Sequence, residues 1–109
     1  MADELFHVEL LEPAQYDLEE IGRLYLSLAG PDSARKITDS IFDALEQLQR
    51  FPLSGPSLPD AELRSAGYRY LVVKKYIVVY RVIGYTIVVY HIFDGRSDYP
   101  KLFRSELSS

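Results

Sequence analysis

The chain contains no cysteine. That absence excludes a disulfide framework, a thiolate metal site and a cysteine nucleophile, and it points toward a cytoplasmic protein. No apolar run approaches the roughly 18–20 residues needed to cross a bilayer, so no membrane association is expected. The opening MADELFHVEL places acidic residues where an export signal would carry positive charge, and no export signal is read there. Internal repeats and low-complexity tracts are lacking as well. Positive charge is scarce: twelve Lys/Arg stand against sixteen Asp/Glu, for a net charge of −4. Such a balance argues against a generic nucleic-acid binder.

The average hides an asymmetry. Between Arg64 and Arg104 there are eight Lys/Arg and two acids, Asp94 and Asp98; the remainder holds four basic and fourteen acidic residues. A split of this kind marks a surface for a polyanion or an acidic partner, or else ordinary solvated charge. With 109 residues, 48% of them hydrophobic, the chain suits a single domain spanning 1–109 with one core.

Hydrophobic periodicity divides that domain. Residues 5–11 alternate as a short strand. Pro13 suits a first helical turn, and Ala14, Leu18, Ile21, Tyr25 and Leu28 then recur at helical spacing, widened by Leu24. Gly30-Pro31 ends this helix of about 16 residues. A second, of about 18, follows with Ile37, Ile41, Leu45 and Leu48 as its stripe and Asp32 or Ser33 as its cap. So short a junction forces an antiparallel helical hairpin. Residues 52–66, with Pro52, Gly55, Pro56 and Pro59, read as an extended loop.

Three strands rich in Val, Ile and Tyr come next: GYRYLVV, YIVVYRVI and YTIVVYHIF, separated by Lys74-Lys75 and by Gly84. Short connections make them an antiparallel meander. The tail DGRSDYPKLFRSELSS starts with a turn and continues as an irregular or helical segment with frayed last residues. The predicted fold is α+β, in the order β-α-α-β-β-β: a helical hairpin packed on one face of a four-stranded, mainly antiparallel sheet, its first strand at an edge or the centre. Tyr76, Val78, Tyr80 and Val82 lie on one face; Ile77, Val79, Arg81 and Ile83 lie on the other. One helical layer covers one face only. The second needs a partner chain or the C-terminal tail, or stands as a half-wet tyrosine surface.

This element order, together with GYRYLVVKKYIVVYRV and IVVYHIFDGRSDYPKLF, resembles the RelE/ParE toxins of type II toxin–antitoxin systems. VELLEPAQYDLEEIGRLY and LEQLQRFP fit the same pattern, so the resemblance spans residues 6–103. It implies a growth inhibitor silenced by a cognate antitoxin that wraps an extended or helical segment around it. It implies no cofactor, no metal and no small-molecule substrate. RelE-like members cut messenger RNA in the ribosomal A site; ParE-like members inhibit DNA gyrase and cut nothing themselves.

Metal-independent RNA cleavage needs a base, an acid and cations for the developing phosphorane. By resemblance, Arg69 stands where such enzymes carry a basic residue after the loop, and Arg96 matches the arginine of the last segment. Tyr99 or Phe103 lies near the terminal tyrosine, and Tyr99 alone has a hydroxyl. Leu71 and Ile77 occupy positions where further cations are expected. Arg81, along the strand from Ile77, is the candidate substitute. His91 is a candidate general base beside Arg69 and Arg96, although a histidine inside an apolar strand is more commonly structural. His7 reads as a surface residue, and Asp98 as an orienting partner for Arg96 or Arg69. Lys74-Lys75 reads as a turn with solvated ends or a phosphate contact, and Gly67 as bringing backbone close between Arg64 and Arg69. Arg69, Arg81 and Arg96 are expected to form one basic patch. The thinned cations and long helices favour the ParE-like reading over the ribosome-dependent endoribonuclease, and both over a non-toxic interaction domain.

Overall fold

A computed structural model describes residues 4–108. Strand β1 (His7–Leu10) leads into α1 (Glu12–Ala29) and α2 (Pro31–Arg50), then a short α3 (Ala61–Ser65). Strands β2 (Arg69–Val73), β3 (Tyr76–Ile83) and β4 (Thr86–Asp94) follow, and α4 (Tyr99–Leu107) closes the chain. The expected order and helical hairpin are present. The sheet runs β1-β4-β3-β2, antiparallel except that β1 lies parallel to β4 at the edge.

Gly30 alone joins α1 to α2; its φ of 93° is one that glycine adopts without strain. Pro31 follows as the first residue of α2, where its missing N–H costs nothing. Asp32 therefore falls inside the first turn and pairs with Arg35, instead of capping the helix as expected, and no side chain caps this end. Four residues of α2 predicted to be its stripe, Ile37, Ile41, Leu45 and Leu48, are all buried. On α1, Ala14 and Ile21 are buried and Leu18 and Tyr25 pack partly against the core, but Leu28 is 75% exposed. The Tyr25 ring meets Tyr76 at the start of β3.

The hairpin covers Val73, Tyr76, Val78, Tyr80, Ile87, Val89 and Ile92. Across the sheet lies a second cluster, Leu58, Leu63, Tyr68, Ile77, Val79 and Phe103. Leu58 and Leu63 come from the stretch expected to be a bare loop. Asp60 caps α3 within it, accepting from the N–H groups of Glu62 and Leu63. Phe103 comes from α4, so the C-terminal tail is what covers the second face. That tail is helical through Leu107, and Ser109 of the expected frayed end lies outside the described residues.

Tyr80 ties the long connection to the core. Its hydroxyl donates to the Pro52 carbonyl at 2.8 Å and accepts from the Gly55 N–H at 3.0 Å, and the residue is fully buried. Tyr80→Phe strands both backbone groups. At about 1–3 kcal/mol for each buried unsatisfied group, the expected loss is ~2 kcal/mol or more in urea denaturation; a loss under about 0.5 kcal/mol would contradict the assignment.

Candidate functional site

The second face of the sheet carries most of the singled-out side chains, and a β-bulge decides which ones. Val79 pairs with His91 and Tyr80 with Val89, leaving Tyr90 as the extra residue of β4. Strict alternation from Ile87 and Val89 would put His91 and Phe93 on the hairpin face. The bulge reverses the phase, so Ile92 enters the hairpin core while His91 and Phe93 join the second face.

Arg81 is held in an aromatic slot on that face. Its guanidinium lies 4.7 Å from the Tyr68 ring centroid and 5.6 Å from that of Tyr90. Nε donates to the Tyr90 hydroxyl at 3.1 Å and Nη1 to the Ala66 carbonyl at 3.3 Å. The Gly67 N–H donates to the Arg64 carbonyl at 3.0 Å, and the Arg81 side chain lies against the same glycine. Burial pushes the Tyr68 hydroxyl above its ordinary pKa, with the Arg81 charge opposing. Tyr99, at the start of α4, packs near Tyr70 and Phe93, and burial raises its pKa too.

Arg69 is elsewhere. It pairs with Tyr80 in the ladder, so it shares the hairpin face, opposite Arg81. Its Nη1 donates to the Gly55 carbonyl at 2.7 Å and the Leu53 carbonyl at 3.3 Å. Arg96 sits past the end of β4, beyond the pairing of Asp94 with Tyr76, and is bidentate to Asp94. The bond from Arg96 holds the Asp94 carboxyl down at about 2. Asp94, not Asp98, is thus the acid that orients Arg96. From Tyr76 to Arg81 is five residues of strand, roughly 16 Å. The three arginines expected in one patch are therefore separated: two by the sheet itself, the third by the length of a strand. Leu71 packs against the hairpin core and Ile77 is buried in the second cluster. His7 is exposed, as expected. The Lys74-Lys75 turn forms, and Lys75 reaches over the Tyr25 and Tyr76 rings at 5.9 and 5.7 Å.

His91 is not beside Arg69 or Arg96. Nδ1 lies 2.7 Å from Asp17 Oδ2 on α1, and Nε2 lies 2.5 Å from Glu106 Oε2 on α4. The same Asp17 oxygen accepts from the Ile92 N–H at 2.8 Å. β1 stops pairing at Val89, and Asp17 takes up the next free amide on that edge. Asp17 chiefly, then Glu106, raises the His91 pKa against the effect of burial. Neither acid was foreseen: Asp17 lies off the apolar stripe of α1, and Glu106 is in the tail. The two carboxylates stand on opposite nitrogens of the ring, so they do not converge on one ion. Among the described residues no group of three His, Cys, Asp or Glu could hold a metal, and no helix is long and apolar enough to cross a membrane.

On the opposite side, α1 and α2 leave a groove of about 640 Å³ with an apolar floor that includes Leu18, Leu26 and Phe42 and with Glu19, Arg23 and Arg35 also lining it. It adjoins a recess of about 370 Å³ in which Val8 and Leu10 of β1 meet Phe42 and Leu45. Leu26 and Phe42 are half exposed there.

A helical hairpin over one face of a four-stranded mixed sheet, with a terminal helix on the other, is the α+β architecture of the RelE/ParE toxins. The family model for the ParE toxin of type II toxin–antitoxin systems, parDE, matches residues 8–99, and the chain belongs to that family. Among solved structures, a chain from a chromosomal ParDE TA system of P. aeruginosa superposes with a TM-score of 0.69 at 24% identity, covering 84% of this chain and 98% of that one. A chain of the RelBE2 toxin–antitoxin complex from Mycobacterium tuberculosis superposes at 0.58 with 22% identity, covering 83% and 98%. At such identities the likeness is one of fold. No curated protein matches significantly.

Proposed function

We propose that this toxin inhibits growth in the ParE-like manner, by acting on DNA gyrase without cutting nucleic acid, and that a cognate antitoxin neutralises it. The observation that carries this reading is the state of the second face. Arg81 is wedged between two tyrosines, His91 has a carboxylate on each nitrogen, and α4 lies over the aromatic rings. Arg69 is turned to the hairpin side and Arg96 is bidentate to Asp94. An RNA phosphate in flight needs several cations aimed at one point, and these are dispersed. The protein is also acidic overall, which disfavours entry into a cavity lined by RNA. Ribosome-dependent cleavage stands as the second reading because Arg81 holds the Tyr90 hydroxyl at 3.1 Å, a cation and a proton donor of the types that chemistry uses.

The antitoxin's apolar segment is assigned to the groove between α1 and α2. Leu26 and Phe42 stand half exposed there, and an amphipathic helix or strand would bury them. Phe42→Glu should leave the fold intact and weaken the complex by roughly 30-fold or more, about 2 kcal/mol, the scale of an interface anchor. The check is growth rescue and co-purification with the cognate antitoxin. Equal rescue of wild type and variant would remove the groove from the interface.

A further inference from the structure

Three elements meet at His91: β4 carries the ring, α1 supplies Asp17 and α4 supplies Glu106. We propose that this Asp17–His91–Glu106 chain is a proton-controlled latch fastening α4 over the second face, and that loss of the Nε2 proton opens its Glu106 arm.

The two arms differ. Asp17 is fixed, because its Oδ2 also accepts from the Ile92 N–H, and its side chain is only 21% exposed. Glu106 sits in the last turn of α4 with its side chain 52% exposed and holds nothing else at this point. The imidazolium donates to both carboxylates. When it gives up one proton, the Nδ1–H stays with the anchored acid. Nε2 then presents a lone pair to the Glu106 carboxylate, and attraction becomes repulsion.

Among the described residues, Asp17 and Glu106 are the charges that act on the ring. From β3, Val79 stands opposite; Phe93 stacks on the ring at 4.8 Å, and Phe103 of α4 meets it edge-on at 6.3 Å. Arg104, the nearest cation along α4, is engaged by Asp60. Tyr99 holds the start of the helix against Tyr70 and Phe93, and Phe103 its middle. Phe103 is its one buried residue among those described, and nine residues do not sustain a helix unaided. Opening the latch therefore loosens the cover over Tyr68, Tyr90 and Arg81.

The sign follows from the direction of the shift. The folded His91 pKa is raised above the ordinary 6.5, so the latch is fully closed below that value. It is lost as pH rises through the raised one.

Ring nitrogen NMR and amide exchange on the full-length protein test this. His7, exposed on β1, is the only other histidine, so the His91 signals are assigned by their absence in His91→Gln. His91 is expected to titrate above the ordinary 6.5 and to become the Nδ1–H tautomer, opposite to the form free histidine prefers. Protection factors of amides 103–107 should fall about three- to tenfold across that titration while those of β3 hold, the size of one half-exposed charged hydrogen bond. Glu106→Gln keeps a partner for either form of the ring, so it should flatten the pH dependence and lower the His91 pKa. His91→Gln should flatten it as well. A His91 that titrates at or below the ordinary 6.5, an Nε2–H neutral form, or α4 protection that does not follow the titration would each overturn the latch. So would an unchanged pH dependence in Glu106→Gln, whose exposed site leaves folding undisturbed.

Discussion

Phe103→Ala is expected to cost about 3–5 kcal/mol, the usual range for truncating a buried phenylalanine, and to lower the melting temperature by on the order of 15 °C. Phe103 is the side chain by which α4 reaches the sheet. It lies edge-on to Tyr68 at 5.0 Å and to Tyr90 at 5.8 Å, and is 2% exposed. Such ring pairs add about 0.5–1.5 kcal/mol each beyond simple burial. Tyr99 adds partly buried packing against Tyr70 and Phe93, and the half-exposed ion pairs of Arg104 with Asp60 and Glu106 with His91 contribute about 1 kcal/mol or less each. The loss should therefore appear first as detachment of α4, with tyrosine fluorescence changing before the main unfolding transition. Denaturation followed by fluorescence and by far-ultraviolet circular dichroism separates the two events. Coincident transitions at the wild-type midpoint would mean that α4 is not anchored there.

The second large effect is expected at Gly55. An added Cβ would stand 2.3 Å from the Tyr70 carbonyl oxygen and 2.7 Å from the Tyr80 hydroxyl. Nothing about its backbone angle requires glycine, since φ there is not in the left-handed region; the constraint is space. The carbonyl belongs to β2 and cannot move without breaking the sheet. The hydroxyl cannot move without releasing Pro52 and Gly55. Gly55→Ala should cost about 3 kcal/mol, the top of the range for forced overpacking. Ser54→Ala, at the exposed neighbour, is the control, with no expected change beyond about 0.5 kcal/mol. Equal midpoints for the two variants would show that the loop does not approach β2 as described.

Much of this architecture was legible in the sequence, and the failures share a cause. Ile37, Ile41, Leu45 and Leu48 announce α2 because an apolar stripe at helical spacing has one sensible use. Gly30-Pro31 announces the hairpin because glycine ends one helix as proline begins the next. The two faces of β3 follow from alternation alone. What alternation cannot reveal is a bulge. The single extra residue at Tyr90 turned His91 away from the hairpin core, and so away from every partner a simple strand reading would assign it. Long-range pairing was equally hidden: Asp17 and His91 lie 74 residues apart, and Arg69 and Gly55 meet only because the loop folds back on β2. α3 was missed although Asp60-Ala-Glu-Leu carries a capping signal, since prolines on its N-terminal side dominated the reading. Residue type located the candidate cations. Their separation over two faces and along a strand is a property of the register, which no local pattern states.

The proposed gyrase-directed, non-nucleolytic action of this ParE-family toxin is tested by expressing the wild-type chain in bacteria and reading two outputs from the same culture: supercoiling with double-strand breaks in DNA, and cleavage of messenger RNA on ribosomes. The account predicts growth arrest with relaxed or broken DNA and intact messages. Growth arrest with codon-phased cuts in messenger RNA and undisturbed supercoiling would contradict it, and would return Arg81 and Tyr90 to a catalytic role.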